Sequence, residues 1–343
     1  MTTADSTTKQ SPNLGLIADH LWAFGRTRTL QAAIELGLFD ALADGPRTAG
    51  EVAKTLRAKE RGVRMLCDAL CALEVLEKSR TGYSLSETAR AFLVSSSPGY
   101  MGPMILHSRM HDHAWANLAE TVRTGKPART VDLESGGREF FPMLVASIFA
   151  PSFGASTMAR SLLGPRVSKG VADVLDVAGG SGAWSLPWAI GNPAVRVTLL
   201  DYEEVFPVAR SFAERFGVAD RFSFKAGNLR KVAFGRGKYD LVLLGHICHS
   251  EGRRWSEKLI RKSAESLRPG GMLMIGEFIP NDARTGPINQ MLFGLNMLVN
   301  TVEGDVFTLS EYRGWMRDAG FTRVRKLDFG ATGPDIVVGV KKV

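Results

Sequence analysis

The sequence predicts a two-domain α/β protein: a mostly α-helical N-terminal domain of winged-helix type, then a mostly parallel sheet with helices on both faces. Length is the first observation, because 343 residues exceed what one hydrophobic core usually supports. The second is the order helix, turn, helix and hairpin in the N-terminal part of the chain. The third is the alternation of short apolar strands with helical stretches that begins at residue 173.

The composition is that of an ordinary globular protein, with 45% hydrophobic and 23% charged residues. Although the formal net charge is +8, the basic residues are scattered and form no run typical of nucleic-acid binding. Charged residues and glycines interrupt every apolar run before it could span a membrane. We therefore expect neither nucleic acid nor a membrane as a partner. The cysteines, with no signal-peptide pattern, indicate a reducing, cytoplasmic location: Cys67, Cys71 and Cys248.

The first domain is predicted to follow a polar tail. Residues 1–12 are rich in Thr and Ser, which predicts a disordered segment. The winged-helix domain is expected to comprise residues 13–107, and its first part, 14–44, carries apolar residues at helical spacing. Residues 108–343 then contain a mainly helical linker and the α/β domain.

The winged-helix pattern depends on two helices and a hairpin. Thr48 stands three residues before Glu51, which is a capping-box signature for a helix over 48–57. A second helix over 60–73 and a hairpin around 80–82 follow. Because winged helices can bind DNA, a DNA-binding regulator is one alternative function. The apolar content of the second helix favours packing against protein over insertion into a groove.

The second domain is predicted to contain seven strands, each a short apolar run. Helical stretches over 203–217 and 253–267 lie between some of them. Because strands and helices alternate, the sheet should be mostly parallel, and such sheets bind ligands at the carboxyl ends of their strands. The strands are expected at residues 173–179, 194–201, 221–229, 239–247, 270–278, 321–328 and 335–341.

The turn after the first of these strands reads DVAGGSG and has the character of a nucleotide site. Gly179, Gly180 and Gly182 would let the backbone come close to a ligand. Their spacing differs from the GxGxxG of dinucleotide folds, which argues against an NAD-dependent oxidoreductase. The carboxylate of Asp176 would repel phosphate but pair with an ammonium group, and Asp201 at the end of the second strand suits ribose hydroxyls. The site therefore fits S-adenosylmethionine better than NAD.

Three segments carry a family resemblance. VLDVAGGSG resembles the first motif of class I S-adenosylmethionine-dependent methyltransferases. LRPGGMLMIGEFIP (267–280) and SEYRGWMRDAGF (310–321) resemble later segments of small-molecule O-methyltransferases of the caffeate and plant-phenol type and their bacterial natural-product and bacteriochlorophyll-pathway relatives. The resemblance implies a Rossmann-like, seven-stranded methyltransferase sheet, an N-terminal domain that forms a homodimer, and a small aromatic or polycyclic acceptor with a phenolic hydroxyl. S-adenosylmethionine would be the methyl donor and S-adenosylhomocysteine the product.

The resemblance also implies roles in cofactor binding. The three glycines would line the methionine part of the cofactor, and Asp201 would hold the ribose with Tyr202 beside it. Asn228 and Leu229 fall where the family has Gly-Asp-Phe or Gly-Asp-Met near the adenine. Asn228 replaces the family Asp, but its amide oxygen can still accept a hydrogen bond from the adenine amino group. His246 ends the fourth strand and is expected to contact cofactor or substrate, or to pack.

The catalytic base is expected in the segment ICHSE. There His249 takes the position of the family base, although the usual Asp-Trp that follows is replaced at 250–251. A neutral imidazole is a suitable base for a phenol, whose unperturbed pKa is about 10. Glu277 matches an acid that would orient the ring, and Asp305, with Glu303 as its competitor, is the candidate for a second acid.

A metal site is not expected at these histidines. His246 and His249 flank Cys248, but they span the end of a strand, so nothing in the spacing brings their side chains together. No second cluster stands at a zinc-ligand spacing.

The acceptor pocket is expected from helices outside the sheet, where Met and aromatic side chains could clamp a flat ring. Within the resemblance, Asn300 matches an asparagine that contacts substrate. A methyltransferase that acts on carbon or nitrogen remains an alternative, because such acceptors need no histidine base. The candidate pocket residues are His107, Met110, His113, Trp115, Phe149, Phe293, Asn296, Met297 and Asn300.

Overall fold

The chain divides into two compact units, Met1–Leu106 and His107–Val343. The predicted tail lies, apart from its last residue, outside the described part of the chain. The computed structural model describes residues 12–131, 134–329 and 335–343.

The first unit is mostly α-helical and carries one antiparallel hairpin. Thr48 caps the third helix, since its side chain accepts from the backbone N–H of Glu51 while the Glu51 carboxylate accepts from that of Thr48, as the sequence predicts. The helix expected over 14–44 is instead two helices, because Gly37 between them is left-handed with φ 71°. The elements are α1 Leu14–Leu36, α2 Leu38–Ala41, α3 Ala49–Leu56, α4 Glu60–Ala72, β1 Leu76–Ser79, β2 Gly82–Leu85, α5 Glu87–Phe92 and α6 Gly102–His107.

The second unit contains a seven-stranded sheet of order β5-β4-β3-β6-β7-β9-β8. The first five strands in this order are mutually parallel, whereas β9 runs antiparallel to both β7 and β8. The predicted fold class and all seven predicted strands are confirmed. The strands are β3 Asp173–Val177, β4 Arg196–Asp201, β5 Phe222–Ala226, β6 Tyr239–Gly245, β7 Leu267–Gly276, β8 Phe321–Lys326 and β9 Ile336–Lys341.

Helices cover both faces of this sheet, so its central strands are apolar on both sides. Along β6, Leu241 and Leu243 join the core on one face, and Val242 and Leu244 join the core on the other. Within the described residues, no single helix is long and apolar enough to cross a membrane. One pair of helices joined by a bend meets the same criteria together, by length and composition alone. The helices are α7 Asp112–Ala116, α8 Leu118–Thr124, α9 Glu134–Ser147, α10 Phe149–Gly170, α11 Leu186–Gly191, α12 Phe206–Arg215, α13 Cys248–Ser266, α14 Ile288–Asn300 and α15 Leu309–Asp318.

The strand order reverses at β3. β4 pairs with one edge of β3 and β6 pairs with the other edge. From β3 the chain therefore continues towards one edge of the sheet, through β4 to β5, and from β6 it continues towards the opposite edge, to β7. A crevice for a ligand opens at such a point, at the carboxyl ends of the strands. The residues that end these strands, Val177, Asp201, Gly245 and Gly276, therefore mark the candidate site.

Candidate active site

The glycine-rich turn after β3 leaves no room for side chains. A Cβ atom on Gly179 would lie 2.6 Å from Cγ of Leu199, and one on Gly180 would lie 2.9 Å from Cγ1 of Val145. Gly180 and Gly182 also have φ of 58° and 75°, in the left-handed region that favours glycine. The turn therefore consists of buried backbone without side chains at three of its positions, at the carboxyl edge of the sheet.

Asp176 lies beneath this turn with one oxygen satisfied and the other free. The Ser185 hydroxyl donates to Oδ2 at 2.6 Å, whereas Oδ1 is buried and has no hydrogen-bond partner in the described part of the chain. Burial raises the pKa of Asp176 to about 7. An unpartnered buried carboxylate oxygen suits the cationic part of a ligand.

Asp201 ends β4 and faces the same turn. Its Oδ2 accepts the backbone N–H of Gly180 at 2.8 Å, and its Oδ1 accepts that of Tyr202 at 2.7 Å. Burial outweighs these bonds and raises the pKa of Asp201 to about 6. Each oxygen keeps a second lone pair, so the carboxylate can still accept from ribose hydroxyls.

Asn228 and Leu229 lie in the loop after β5. Oδ1 of Asn228 accepts the backbone N–H of Arg230 at 2.9 Å and so shapes this loop. Leu229 packs against the apolar core on the α13 side of the sheet. The contact of Asn228 with adenine stays a prediction.

His246 follows β6 in a left-handed conformation, with φ 58°. Its ring packs edge-on against Trp184, at 5.3 Å between centroids, and lies 5.3 Å from Phe278. Nδ1 of His246 is buried without a partner among the described residues, and burial lowers its pKa to about 4. The ring is therefore neutral at neutral pH.

Trp184 is a site residue that the sequence did not reveal. Its indole lies across Gly245 and Gly276, because a Cβ on either glycine would lie 2.2 Å from an indole carbon. The two glycines end β6 and β7, which are neighbours in the sheet. The feature of the sequence that indicates space for this indole is a glycine at the end of each of two adjacent strands.

His249 and Glu277 form a close, buried pair of titratable groups at the strand ends. Nδ1 of His249 lies 2.7 Å from Oε2 of Glu277, and the His249 backbone N–H donates to Oε1 at 3.2 Å. Burial of Glu277 acts to raise its pKa, but the charge and hydrogen bonds of His249 outweigh burial, so the pKa lies below its ordinary value. Glu277 therefore holds the ring by one nitrogen and leaves Nε2 for other chemistry.

The predicted second acid does not reach this ring. The Asp305 carboxylate is half exposed and lies 3.7 Å from Nη1 of Arg284, while the Asp305 backbone N–H donates to the His249 carbonyl at 2.9 Å. Glu303, the competitor, is exposed, and a Cβ on Gly252 would lie 2.5 Å from its carbonyl oxygen. The segment thus holds His249 through its main chain rather than through a carboxylate.

The residues that replace the family Asp-Trp have a role of their own. The Glu251 carboxylate is buried and lies 2.6 Å from Nε of Arg230 in the loop after β5. The Arg230 guanidinium in turn lies 4.9 Å from the ring centre of Trp255. An ion pair therefore ties the His249 turn to the loop that carries Asn228.

Helix α14 brings several predicted pocket residues together. Phe293 stacks on Phe278 with 3.7 Å between ring centroids and meets His249 edge-on at 4.8 Å. One turn further, the Trp115 indole N–H donates to Oδ1 of Asn296 at 3.1 Å. Asn300 donates to the Asn296 carbonyl at 2.9 Å and is almost fully buried. Phe278 is a further site residue that the sequence analysis missed.

The remaining pocket candidates divide. Phe149 stacks on Phe212 at 3.7 Å within the core, so it is a core residue rather than a pocket residue. His113 is exposed, which excludes the buried pocket position expected for it. Met110 is half buried and Met297 is buried. His107 is half buried and packs against His111, a residue that the sequence analysis did not single out.

His246, His249 and Glu277 converge, although the spacing of the two histidines at a strand end did not require it. Their potential ligand atoms lie within 4.8 Å of one another, which is a spacing that could hold a metal ion.

Fold and site together define a class I S-adenosylmethionine-dependent methyltransferase, with a bare glycine turn, an acid at the end of the next strand, and a histidine–carboxylate pair at the edge of a seven-stranded sheet. The chain belongs to the O-methyltransferase family. The O-methyltransferase domain profile matches residues 155–322, and the O-methyltransferase dimerisation domain profile matches residues 18–95. S-adenosylmethionine is the methyl donor of this family, which confirms the predicted enzyme class and cofactor.

Curated relatives and a solved structure agree with this assignment. The chain is 32% identical to a 3-hydroxy-5-methyl-1-naphthoate 3-O-methyltransferase of Streptomyces sahachiroi, over 95% of this chain and 94% of the relative. It is 30% identical to an N,N-dimethyltransferase of Streptomyces rimosus, over 93% and 94%. A structure described as an O-methyltransferase of Nostoc punctiforme superposes with TM-score 0.85 at 29% identity, covering 97% of this chain and 100% of that one.

Proposed function

We propose that this enzyme methylates a phenolic hydroxyl of a small aromatic or fused-ring metabolite, with His249 as the general base. The observation that carries the proposal is the 2.7 Å contact between Nδ1 of His249 and Oε2 of Glu277 at the carboxyl edge of the sheet. The relatives add support, since one acts on a naphthoate hydroxyl and another is named for the 8-O-methylation of tetracenomycin in Streptomyces glaucescens.

The residues of the glycine turn fit the methyl donor. Asp176 offers a buried oxygen without a partner to the cationic end of the cofactor, and Asp201 offers its free lone pairs to the ribose. Gly179, Gly180 and Gly182 would line the methionine part, with Tyr202 beside the ribose and with Asn228 and Leu229 towards the adenine. When bound, S-adenosylmethionine supplies an electrophilic methyl group.

The base works by holding a proton at one atom. Nε2 of His249 accepts the proton of the acceptor hydroxyl, while Nδ1–H donates to the Glu277 carboxylate, which stabilises the imidazolium charge that develops. Removal of this proton makes the oxygen a better nucleophile. The backbone N–H of Asp305, which donates to the His249 carbonyl, holds the base turn in place.

Aromatic side chains next to the base suit a flat acceptor. The stacked pair Phe278 and Phe293 borders the His249 ring, and His246 and Trp184 continue the aromatic surface. Asn300 carries a buried Oδ1 without a partner in the described residues, so it can accept a hydrogen bond from the acceptor. Met297 is buried beside them on α14.

Nitrogen or carbon methylation is the second candidate, because the 30% identical relative is an N,N-dimethyltransferase. The histidine–carboxylate pair favours oxygen, since a neutral amine is already a good nucleophile, whereas a phenol becomes one only when a base removes its proton. We propose no nucleic-acid partner: in α4, the helix that would read DNA, Arg64 pairs with Asp68 at 2.9 Å.

We propose a homodimer that forms through the first unit. The dimerisation profile matches this region, and α1 exposes a series of large apolar side chains that a partner subunit could cover. These side chains include Leu14, Ile17, Leu21, Trp22 and Phe24, all more than half exposed. Sedimentation should show a dimer, and a monomer at micromolar concentration would contradict the proposal. A cytoplasmic location is part of the proposal and agrees with three free cysteines.

The base assignment is tested with His249→Ala. We expect kcat towards 2-naphthol or another phenol to fall by a factor of about 10² to 10⁴, which is the usual contribution of general-base catalysis. Calorimetry with S-adenosylhomocysteine should show unchanged affinity, which separates a lost base from a lost fold. Full turnover by the variant would exclude His249 as the base.

A further inference from the structure

Three side chains of the segment before α8 share one face. His107, His111 and Trp115 stand four residues apart, and the backbone at His107, His111 and Asp112 is right-handed helical, with φ of −58°, −87° and −53°. Residues at this spacing lie above one another on an α-helix. Here a 3-10 turn, Ser108–His111, joins α6 to α7, and the contact between the His107 and His111 rings shows that these two side chains still lie on the same face. Trp115 is anchored to Asn296 of α14 at 3.1 Å, so this face is turned towards α14.

Two nitrogen atoms on this face lack partners. Nε2 of His107 and Nδ1 of His111 are buried, and neither has a hydrogen-bond partner within the described parts of the chain. The two rings lie 5.7 Å apart between centroids, and Phe140 lies 5.6 Å from His107. Buried polar atoms are normally satisfied, so a close pair of orphaned nitrogens indicates a polar group that binds between them.

The charges around the pair favour an anion. Burial lowers the pKa of both histidines, and the positive charge of Arg129 lowers them further. Asp112 acts in the opposite direction on His111 but does not reverse the shift. Two neutral imidazoles can each donate one N–H, and the Arg129 guanidinium adds a permanent cation.

Arg129, whose charge acts on both histidines, lies beside the end of α14 that is distant from His249. The Arg129 backbone N–H donates to the Val299 carbonyl at 3.2 Å, and that of Val131 donates to the Asn300 carbonyl at 3.0 Å. Phe293, which touches His249, lies seven residues before Asn300 on the same helix, which is about 10 Å at 1.5 Å per residue. That distance is on the scale of a fused-ring aromatic molecule.

We propose that His107, His111 and Arg129 form a subsite for an acidic oxygen substituent, a carboxylate or an ionised phenol, at the end of the acceptor opposite the methylated hydroxyl. The proposal rests on the proposed function, because it assumes an aromatic acceptor whose hydroxyl reaches His249. It makes the enzyme selective for hydroxy-arenes that carry a second, acidic oxygen.

Four naphthalene probes test the subsite in the full-length enzyme with S-adenosylhomocysteine present. Calorimetry should show that 6-hydroxy-2-naphthoate binds at least about tenfold more tightly than its methyl ester or 2-naphthol, as expected for hydrogen bonds to a charged group. Arg129→Met and His107→Phe should each abolish this preference while 2-naphthol binds as before. Lys126→Met, an exposed charge three residues from Arg129, is the matched control and should keep the preference.

The fourth probe, 2,6-dihydroxynaphthalene, separates the two sources of the anion. Affinity that rises as its phenol ionises would assign the subsite to phenolates, and no such rise together with tight naphthoate binding would assign it to carboxylates. Equal affinity of wild type for the acid and its ester would overturn the proposal. His107→Gln, which keeps a hydrogen-bonding group, should retain part of the preference, and thermal melting would identify a variant that fails to fold.

Failure of the proposed function would look different. If no probe were methylated but the acid still bound tightly to wild type and weakly to Arg129→Met, the subsite would stand and the phenol-methylating role would fall. If the probes were methylated at equal kcat/KM irrespective of charge, the role would stand and the subsite would fall.

Discussion

The carboxylate of Glu277 holds His249 by two hydrogen-bonding contacts, 2.7 Å to the ring Nδ1 and 3.2 Å to the backbone N–H. Glu277 follows β7, and His249 is the second residue of α13, which follows β6, so two adjacent strands bring the two residues to one point. The pair is thus fixed by the sheet itself.

Glu277→Gln should separate the orientation of the base from its charge. An amide can still bond Nδ1, but it cannot balance the imidazolium charge, so we expect kcat to fall by a factor of about 10² or more. Steady-state kinetics with a phenol checks this, with cofactor affinity as the control. A kcat within twofold of wild type would mean that the Glu277 charge has no part in the reaction.

The segment before α15 should act through its backbone. Asp305→Asn keeps the backbone N–H that donates to His249, so we expect a small effect on kcat. Gly304→Ala should be severe, because its Cβ would lie 2.7 Å from the His249 carbonyl and 2.2 Å from Oγ1 of Thr301. The measurement is kcat of the two variants. A large loss of kcat in Asp305→Asn and none in Gly304→Ala would show that Asp305 supports His249 through its carboxylate.

Cofactor binding should release a proton near pH 6. The pKa of Asp176 is raised to about 7, so below that pH the free enzyme holds a proton that a cationic ligand must displace. Affinity for S-adenosylmethionine should therefore fall as pH decreases below about 7 and level off above it. Calorimetry in buffers of different ionisation enthalpy measures the proton.

Asp176→Asn provides the control for this linkage. The variant should lose most of the pH dependence and keep the smaller part due to Asp201, whose pKa is raised to about 6. Equal proton release by variant and wild type would assign the linkage to another group.

His246 should make the fold sensitive to acid. Its pKa is lowered to about 4 in the folded state, against about 6.5 when exposed, so the unfolded chain binds a proton more readily between these values. The stability that comes from the neutral ring is complete above pH 6.5 and is lost as pH falls towards 4. Urea titrations should show a shallower decline for His246→Phe than for wild type, and parallel curves would contradict this cause.

Removal of metal should leave methyl transfer intact. His246, His249 and Glu277 could hold an ion by spacing, but in the proposed reaction His249 accepts a proton and Glu277 keeps the ring oriented. Dialysis against EDTA should therefore leave kcat unchanged. Loss of activity that zinc restores would show that the three residues bind a metal.

The strand ends could be predicted because their signals are local, and the histidine–carboxylate pair could be predicted because the segments that carry it resemble those of the family. A glycine turn, a terminal acid or a histidine after an apolar run reads directly from the sequence. Trp184 could not be found in this way, since Gly245 and Gly276 accommodate its indole only once β6 and β7 are known to be neighbours.

The wrong assignments of helical residues to the acceptor pocket have a common physical cause. Apolar periodicity shows that a helix has a buried face but not what covers it. Phe149 and Phe293 look alike in sequence, yet one stacks on Phe212 in the core and the other lies against His249. Asp305 failed for a different reason, because the direction of a side chain after a turn depends on how the loop packs.

The face that carries His107, His111 and Trp115 belongs to a segment that precedes the sheet, whereas His249 and Glu277 stand on the sheet edge. If both proposals hold, the chemistry and the choice of acceptor are encoded in separate parts of the chain. Substitutions in that segment would then redirect the enzyme to new acceptors without disturbing His249 and Glu277. With this division, substitutions in a few helical turns would be enough to adapt one catalytic scaffold to many metabolites.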